Sequence, residues 1–226
     1  MKKVFASWSG GKDCCLALNR ALAEGLDVRY LANTVSADGL RSCSHGISAA
    51  VIRTQAEALG IPIIQQPTTG DNYRAQFVKM LHAFKQDGIE GGVFGDIDFN
   101  AHLEWIEGVC RETGMKSYLP LWLEDQRKLV EELIGAGFIA VIVAVKADFF
   151  GPETLGKVID RDFLDSLPEN ITPCGEAGEF HSLVIDGPVF KKRLEITSSR
   201  KETREGRHFL DITGVKLTAK RLAGKR

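Results

Sequence analysis

Apolar and polar positions change period in a regular order along the chain. Val4-Phe5-Ala6 is a continuous apolar run of strand length, and Val28 to Val35 is a second. Between them Cys15, Leu18 and Leu22 recur at helical spacing and stop at Gly25. Ile47, Val51, Thr54 and Ala58 then predict a helix ended by Gly60 and Pro62, and Ile61 to Gln65 a strand. Phe77, Leu81 and Phe84 predict a helix ended by Gly88, Gly92 to Phe94 a strand, and Leu103, Ile106 and Cys110 a helix ended by Gly114. Apolar runs alternating with helical periods, each helix closed by glycine, argue a strand–helix repeat. Strands joined through helices form right-handed crossovers and a mostly parallel sheet. Such an α/β sheet binds ligands beyond the carboxyl ends of its strands. That end comprises the loops 9–14, 34–45, 66–72 and 95–100.

After Pro120-Leu121-Trp122 the pattern changes. Leu129, Leu133 and Ala136 predict a helix leading into an apolar strand, Phe138 to Val145, and a short helix is expected within Val158 to Leu167. Ser182 to Ile185, Leu194 to Thr203 and Arg207 to Thr218 read as strands, the last two joined at Glu205-Gly206 as a hairpin. The expected organisation is a parallel-sheet nucleotide-binding domain over 1–122 and a smaller α+β domain over 123–226, packed closely.

Composition narrows the class. A chain of 226 residues, 44% hydrophobic and 26% charged, is ordinary globular protein. Its formal net charge of −1 gives no bulk attraction to nucleic acid or to an anionic membrane. The basic stretch Lys216, Lys220, Arg221, Lys225 and Arg226 reads as a solvated tail. Five cysteines, an odd count without CxxC, argue against a disulfide framework and for a reducing, cytoplasmic setting. The amino terminus runs straight into a glycine turn and is not read as a signal peptide. The longest apolar run is too short to cross a bilayer.

Chemistry concentrates in two places. The first is Ser9-Gly10-Gly11-Lys12-Asp13-Cys14, directly between a strand and a helix. Paired glycines allow a tight turn, the helix start adds unpaired N–H groups, and Lys12 adds a charge: the parts of a polyphosphate seat. A Walker loop would need glycine at position 6 and Ser or Thr at 13, where this chain has Ala6 and Asp13. A dinucleotide fingerprint lacks its third glycine. Asn33 and Thr34 at the end of the second strand, and Gly95 and Asp96 after the fourth, share that ligand end. Asp96 is read as a nucleotide or Mg²⁺ contact, against a bland alternative as helix cap for the stretch near Asn100.

The second is Cys174-Gly175-Glu176-Ala177-Gly178-Glu179-Phe180-His181. Glu176, Glu179 and His181 are side chains able to bind ammonium or take a proton from it, and Glu179 and His181 would share one face of a strand. Cys174, Gly175 and Gly178 would offer substrate close backbone approach, and His45, in a ligand-end loop, is either a substrate contact or a helix start. A zinc-deaminase signature is excluded: His102-Leu103-Glu104 and Pro173-Cys174 would need a second cysteine where Ala177 stands. No metal site of the protein's own is expected.

Ser-Gly-Gly-Lys-Asp after the first strand resembles the PP-loop of the ATP pyrophosphatases, the adenine nucleotide α-hydrolases of the HUP/Rossmann-like class, with Cys14 where that loop ends in Ser or Thr. Phe94-Gly95-Asp96-Ile97, His102, Glu104-Trp105, Pro120-Leu121-Trp122, Leu155-Gly156, Asp160, the run 174–182 and Asp186-Gly187-Pro188 resemble the diphthine–ammonia ligase-like branch. The resemblance implies an ATP-dependent amide ligase that adenylates a carboxylate, releases pyrophosphate and transfers ammonia. It implies ATP and Mg²⁺ as cofactors, Lys12, Asp96, Glu176, Glu179 and His181 as catalytic residues, and Ser9 to Cys14, Asn33, Thr34, Gly95 and Asp96 as the nucleotide site. Diphthamide-making members carry Glu where this chain has His181, so two acceptors stay open: a modified histidine on a protein, or a corrinoid carboxylate in cobalamin salvage. A nucleotide-binding sensor without ligase activity is the alternative of another class, and a homo-oligomer is compatible with all of them.

Overall fold

The computed structural model describes residues 1–220; Arg221, Lys225 and Arg226 of the basic stretch lie outside them. Five parallel strands form the first sheet: β1 (Lys3–Ser7), β2 (Asp27–Val35), β3 (Ile63–Pro67), β4 (Gly91–Val93) and β5 (Lys116–Tyr118), in the order β3-β2-β1-β4-β5. The connections are α1 (Lys12–Ala23), α2 (Ala49–Leu59), α3 (Tyr73–Gln86) and α4 (Asn100–Thr113). Side chains alternate along β1 and feed two cores. Val4 and Ala6 face α1, α2 and the second unit, whereas Phe5 faces α3 and α4.

The second unit comprises α5 (Gln126–Gly135), α6 (Arg161–Asp165) and an antiparallel sheet of β6 (Ile139–Lys146), β7 (Phe180–Asp186), β8 (Lys192–Arg204) and β9 (Arg207–Ala219), ordered β7-β6-β9-β8. Glu205 and Gly206 both adopt positive φ (50° and 71°), the backbone of a tight hairpin turn between β8 and β9. One apolar core runs without a break from α1 and α2 into β6 and β7. Arg20 on α1 ties to Glu132 on α5 at 2.5 Å and to the Pro120 carbonyl at 2.7 Å. The architecture is therefore α/β, a Rossmann-like parallel sheet followed by a smaller α+β unit.

Several local expectations shift. β5 carries no apolar alternation in Lys-Ser-Tyr; it forms because β4 offers a free edge, so the pattern alone misses it. β3 begins at Ile63 rather than Ile61, since Pro62 cannot donate a ladder hydrogen bond. Leu22 is 39% exposed and lies off the buried face of α1. Ile47 precedes α2 and is buried ahead of it. The helix sought in 158–167 covers only Arg161–Asp165, capped by the Asp160 carboxylate on the Phe163 amide at 2.8 Å, while Val158 bridges to Val141.

Candidate functional site

β1 pairs with β2 on one side and β4 on the other. The chain leaves β1 in one direction and returns through β4 from the opposite one, so the loops after these strands diverge and leave a crevice. A cavity of about 580 Å³ fills it, within the ~300–1,000 Å³ of small-molecule sites. Ser9, Lys12, Asp13 and Cys14 form one wall; Thr34 lies at the end of β2, Ser44 and His45 after it, and Phe94, Gly95, Asp96 and His102 after β4. The second unit closes it with Cys174, Gly175, Glu176, Gly178, Phe180, His181 and Ser182. The two motifs, far apart in sequence, thus face one space.

The glycine turn is stitched to its surroundings. Gly10 has φ +84°, and a Cβ there would come within 2.5 Å of the Ile52 side chain and 2.8 Å of Gln55. Its carbonyl accepts from Gln55 Nε2 and from the Val184 amide, both at 2.9 Å. The Gly11 amide donates to Ser9 Oγ at 3.3 Å and the Lys12 amide to Ser182 Oγ at 3.1 Å. Gly10 and Gly11 therefore sit behind the cavity wall and shape it. Cys14 directs its thiol to the Gly11 carbonyl at 3.2 Å, a bond that the hydroxyl usual in this loop would also make.

Lys12 is buried, and its ammonium donates to Asp13 Oδ2 at 2.8 Å and to the Cys174 carbonyl. It also lies 5.4 Å from the Phe180 ring centre. Burial alone would pull its pKa down, but the Asp13 carboxylate more than offsets this, and the ammonium is held above its ordinary value. Glu176 is pushed up from 4.5 to about 7 by burial first and then by the charge of Asp13, against the pull of Lys12. Asp96 is likewise raised by burial, opposed by His102, whose Nδ1 lies 2.9 Å from Oδ1. It does not cap α4, whose cap position is Phe99. His45 and His181 stack with ring centres 4.5 Å apart. Burial, then the charge of neighbouring groups, lowers both, His181 to about 4, so both imidazoles are neutral near pH 7. His45 Nδ1 lies 3.1 Å from the Ser182 carbonyl.

Besides Gly10 and Gly11, two expected site residues, Asn33 and Glu179, do not line the cavity. Asn33 donates to the Trp8 carbonyl at 2.8 Å and to Ser42 Oγ at 3.0 Å, and accepts from Gln65 at 3.1 Å. On a strand it must point opposite to Thr34, and only Thr34 reaches the cavity. Glu179 precedes β7, so strand alternation does not align it with His181. Its Oε1 accepts from the Thr172 amide and hydroxyl, both at 2.9 Å, which pins the turn from behind, and its Oε2 is buried without a partner. Sequence reasoning also missed an aromatic wall of Tyr73, Phe77 and Trp105, with Phe77 and Trp105 rings 4.9 Å apart. Their helical spacing reads as ordinary core. Gln55 was missed too; it is a fully buried amide on the apolar face of α2, donating to Gly10 and, at 2.7 Å, to Val184.

The family description "Diphthamide synthase N-terminal domain" matches residues 1–117, and "Diphthamide synthase C-terminal domain" matches 125–218. A diphthine–ammonia ligase of Schizosaccharomyces pombe is 30% identical over 86% of this chain, which spans only 36% of that longer protein. A diphthine–ammonia ligase of Danio rerio is 26% identical over 96% of this chain and 94% of its own length. Among solved structures, a predicted subunit of a tRNA methyltransferase from Methanocaldococcus jannaschii covers 85% of this chain and 100% of its own, at 14% identity and a TM-score of 0.47.

Proposed function

The chain belongs to the diphthamide synthase family, and on that premise we propose that it is an ATP-dependent ammonia ligase acting on a carboxylate in diphthamide synthesis. The observation that carries this is the meeting of Lys12, a buried and charged ammonium, with Glu176, a carboxyl poised near neutrality, in one cavity at the sheet's switch point.

A carboxylate resists attack by ammonia, and ammonia near pH 7 is mostly ammonium. Activation solves the first difficulty: a carboxylate oxygen bonds to the α-phosphorus of ATP, the bond to the β-phosphate breaks, and pyrophosphate leaves. Lys12, the Asp13 and Cys14 amides at the start of α1, and Ser9 line the place where that negative charge would collect, and a fixed cation there stabilises it without reorganisation. Glu176 addresses the second. With a pKa of about 7 it is half ionised at neutral pH and able to take a proton from ammonium at the cavity wall. Ammonia then bonds to the acyl carbon, the bond from that carbon to the AMP oxygen breaks, and the nitrogen releases one proton to solvent.

Mg²⁺ fits as an ion carried in by the nucleotide. Among the described residues no group of three or more ligating side chains is preassembled. Asp13 and Asp96 face the cavity, and Mg²⁺ is typically held by one or two carboxylates with phosphate and water. Bound there it would neutralise phosphate charge. Thr34, Gly95 and Asp96 complete the nucleotide side; His45, Gly175, Gly178 and His181 face the acceptor side. Five free thiols suit the reducing cytoplasm, and among the described residues no helix is long and apolar enough to cross a membrane.

The test is production of AMP and pyrophosphate that requires both ammonium and an acid, offered as a diphthine-bearing elongation factor and as a corrinoid acid. Lys12→Met should abolish pyrophosphate release. ATP binding without turnover on either acid would point instead to a nucleotide sensor.

A further inference from the structure

An amide made from ammonium requires two protons to leave the same nitrogen, and Glu176 takes only the first. Ammonium gives up one proton to become ammonia. Once ammonia has bonded to the acyl carbon, the nitrogen must lose another, and by then Glu176 holds a proton. The other carboxylates of the cavity are engaged. Asp13 Oδ2 lies 2.8 Å from the Lys12 ammonium, and Asp96 Oδ1 lies 2.9 Å from His102 Nδ1. The unengaged bases on the cavity wall are the stacked imidazoles of His45 and His181.

His45 sits where the two motifs meet. Its Nδ1 lies 3.1 Å from the Ser182 carbonyl. A carbonyl oxygen only accepts, so Nδ1 carries the hydrogen of the neutral ring and Nε2 carries the lone pair. Cε1, between the two nitrogens, packs on the glycine turn: a Cβ at Gly11 would lie 2.5 Å from it. Glycine at this position therefore gives the ring its room. The Ser182 hydroxyl accepts from the Lys12 amide at 3.1 Å, so one residue sets both the loop and the imidazole. The His181 ring, stacked at 18° between planes, holds the plane of His45. His45 Nε2 has no hydrogen-bond partner among the described residues and is not one of the buried unpaired polar atoms, so it opens to the cavity that the ring lines. His181 has no comparable bond to fix which of its nitrogens carries the hydrogen. Burial, His181 and Lys12 lower the pKa of His45 and keep its lone pair free near neutral pH. Weak basicity suffices, because nitrogen bonded to an electron-poor acyl carbon is a stronger acid than free ammonium.

We propose that His45 Nε2 takes this second proton, which makes His45 a catalytic base of amide formation. As the bond from the acyl carbon to the AMP oxygen breaks, its electron pair leaves with AMP. The N–H pair stays on the amide nitrogen, the Nε2 lone pair bonds to the proton, and the imidazolium then passes it to solvent. The Ser182 carbonyl is the positioning group. The role rests on the ligase reading; the tautomer of His45 does not.

The test compares the wild type with His45→Asn, whose amide still donates to the Ser182 carbonyl but supplies no ring base. Single turnovers with ATP, Mg²⁺ and an acid that the wild type amidates separate pyrophosphate release from amide formation. In His45→Asn pyrophosphate release should be unchanged and amide formation about a hundredfold slower or more, the scale of a lost general base. Hydroxylamine is uncharged at neutral pH and needs no first deprotonation. In place of ammonium it should restore Glu176→Gln and leave His45→Asn slow. Free imidazole should speed His45→Ala, where the ring's place is vacant. Nitrogen NMR of the free wild type should find the His45 hydrogen on Nδ1 at neutral pH. A hydrogen on Nε2 overturns the proposal with no assay of activity. Amide formation at the wild-type rate in His45→Asn, pyrophosphate release slowed as much as amide formation, or hydroxylamine restoring both variants equally overturns it too. A wild type that forms no AMP with either acid ends the ligase reading and this role together, whereas wild-type ligation with His45→Asn unaffected removes this role alone.

Discussion

Glu176→Gln should make the protein more stable in alkaline solution while removing its activity. The wild-type carboxyl has its pKa raised from 4.5 to about 7, by burial and by the charge of Asp13, Asp98 and Asp96 against Lys12. Between these two values the folded chain holds a proton that the unfolded chain has released, so stability falls as pH rises. Below about 4.5 both states are protonated and nothing is lost; above about 7 the loss is complete. Each pH unit corresponds to about 1.4 kcal/mol, so the full difference is about 3 kcal/mol. For a half-buried group screened by solvent, about 1–2 kcal/mol is the working figure. Glutamine resembles the protonated acid at every pH. The variant should therefore match the wild type near pH 4 and melt about 3–6 °C higher near pH 8, given ~2–4 °C per kcal/mol for a chain of this size. Thermal unfolding of both proteins across that range measures it, alongside AMP production. A stability difference independent of pH, or a variant less stable at pH 8, would refute the placement of Glu176 among like charges.

Three other outcomes follow from the same geometry. Cys14→Ser should keep the bond to the Gly11 carbonyl, now 3.2 Å from the thiol, and change stability by less than about 1 kcal/mol; urea titration measures it. Glu179→Ala should strip Thr172 of its buried acceptor and cost about 1–3 kcal/mol. Its melting point should fall while the KM for ATP in the surviving folded protein is unchanged, because this carboxylate is off the cavity. The His181 ring, with a pKa of about 4, should stay neutral from pH 8 down to pH 5 in an NMR titration. A midpoint near the ordinary 6.5 would show that burial and the charge of Arg207 do not act on it as described.

Much of this architecture is written locally. The apolar periods of the amino-terminal half and the glycines at 60 and 114, both left-handed helix caps, mark where its helices stop. Ser9 to Asp13 between an apolar run and a helix predicts its place at the ligand end, because strand direction and helix polarity follow from chain order alone. Glu176 was legible for a similar reason: an acid between glycines in a turn has no core to join. What is not local was not legible. Tyr73, Phe77 and Trp105 have the spacing of core residues, and only the crevice between two crossovers turns them toward a ligand.

Chain order and periodicity thus determined the parallel sheet, its ligand end and the two chemical motifs, since each depends on residues a few positions apart. The tertiary structure decided which members of those motifs meet. It turned Thr34 inward and Asn33 away, set Glu179 behind its turn, and spent two of the loop's amides on Ser9 and Ser182. It also brought Glu176 within the field of Asp13 and aligned Lys146, Arg207 and Arg204 across three strands. Charge and burial act through space, here between Asp13 and Glu176, which the sequence places more than a hundred residues apart, so the raised pKa of Glu176 exists only once the two units have packed together, whereas the row of cations needs only the pairing of β6, β9 and β8.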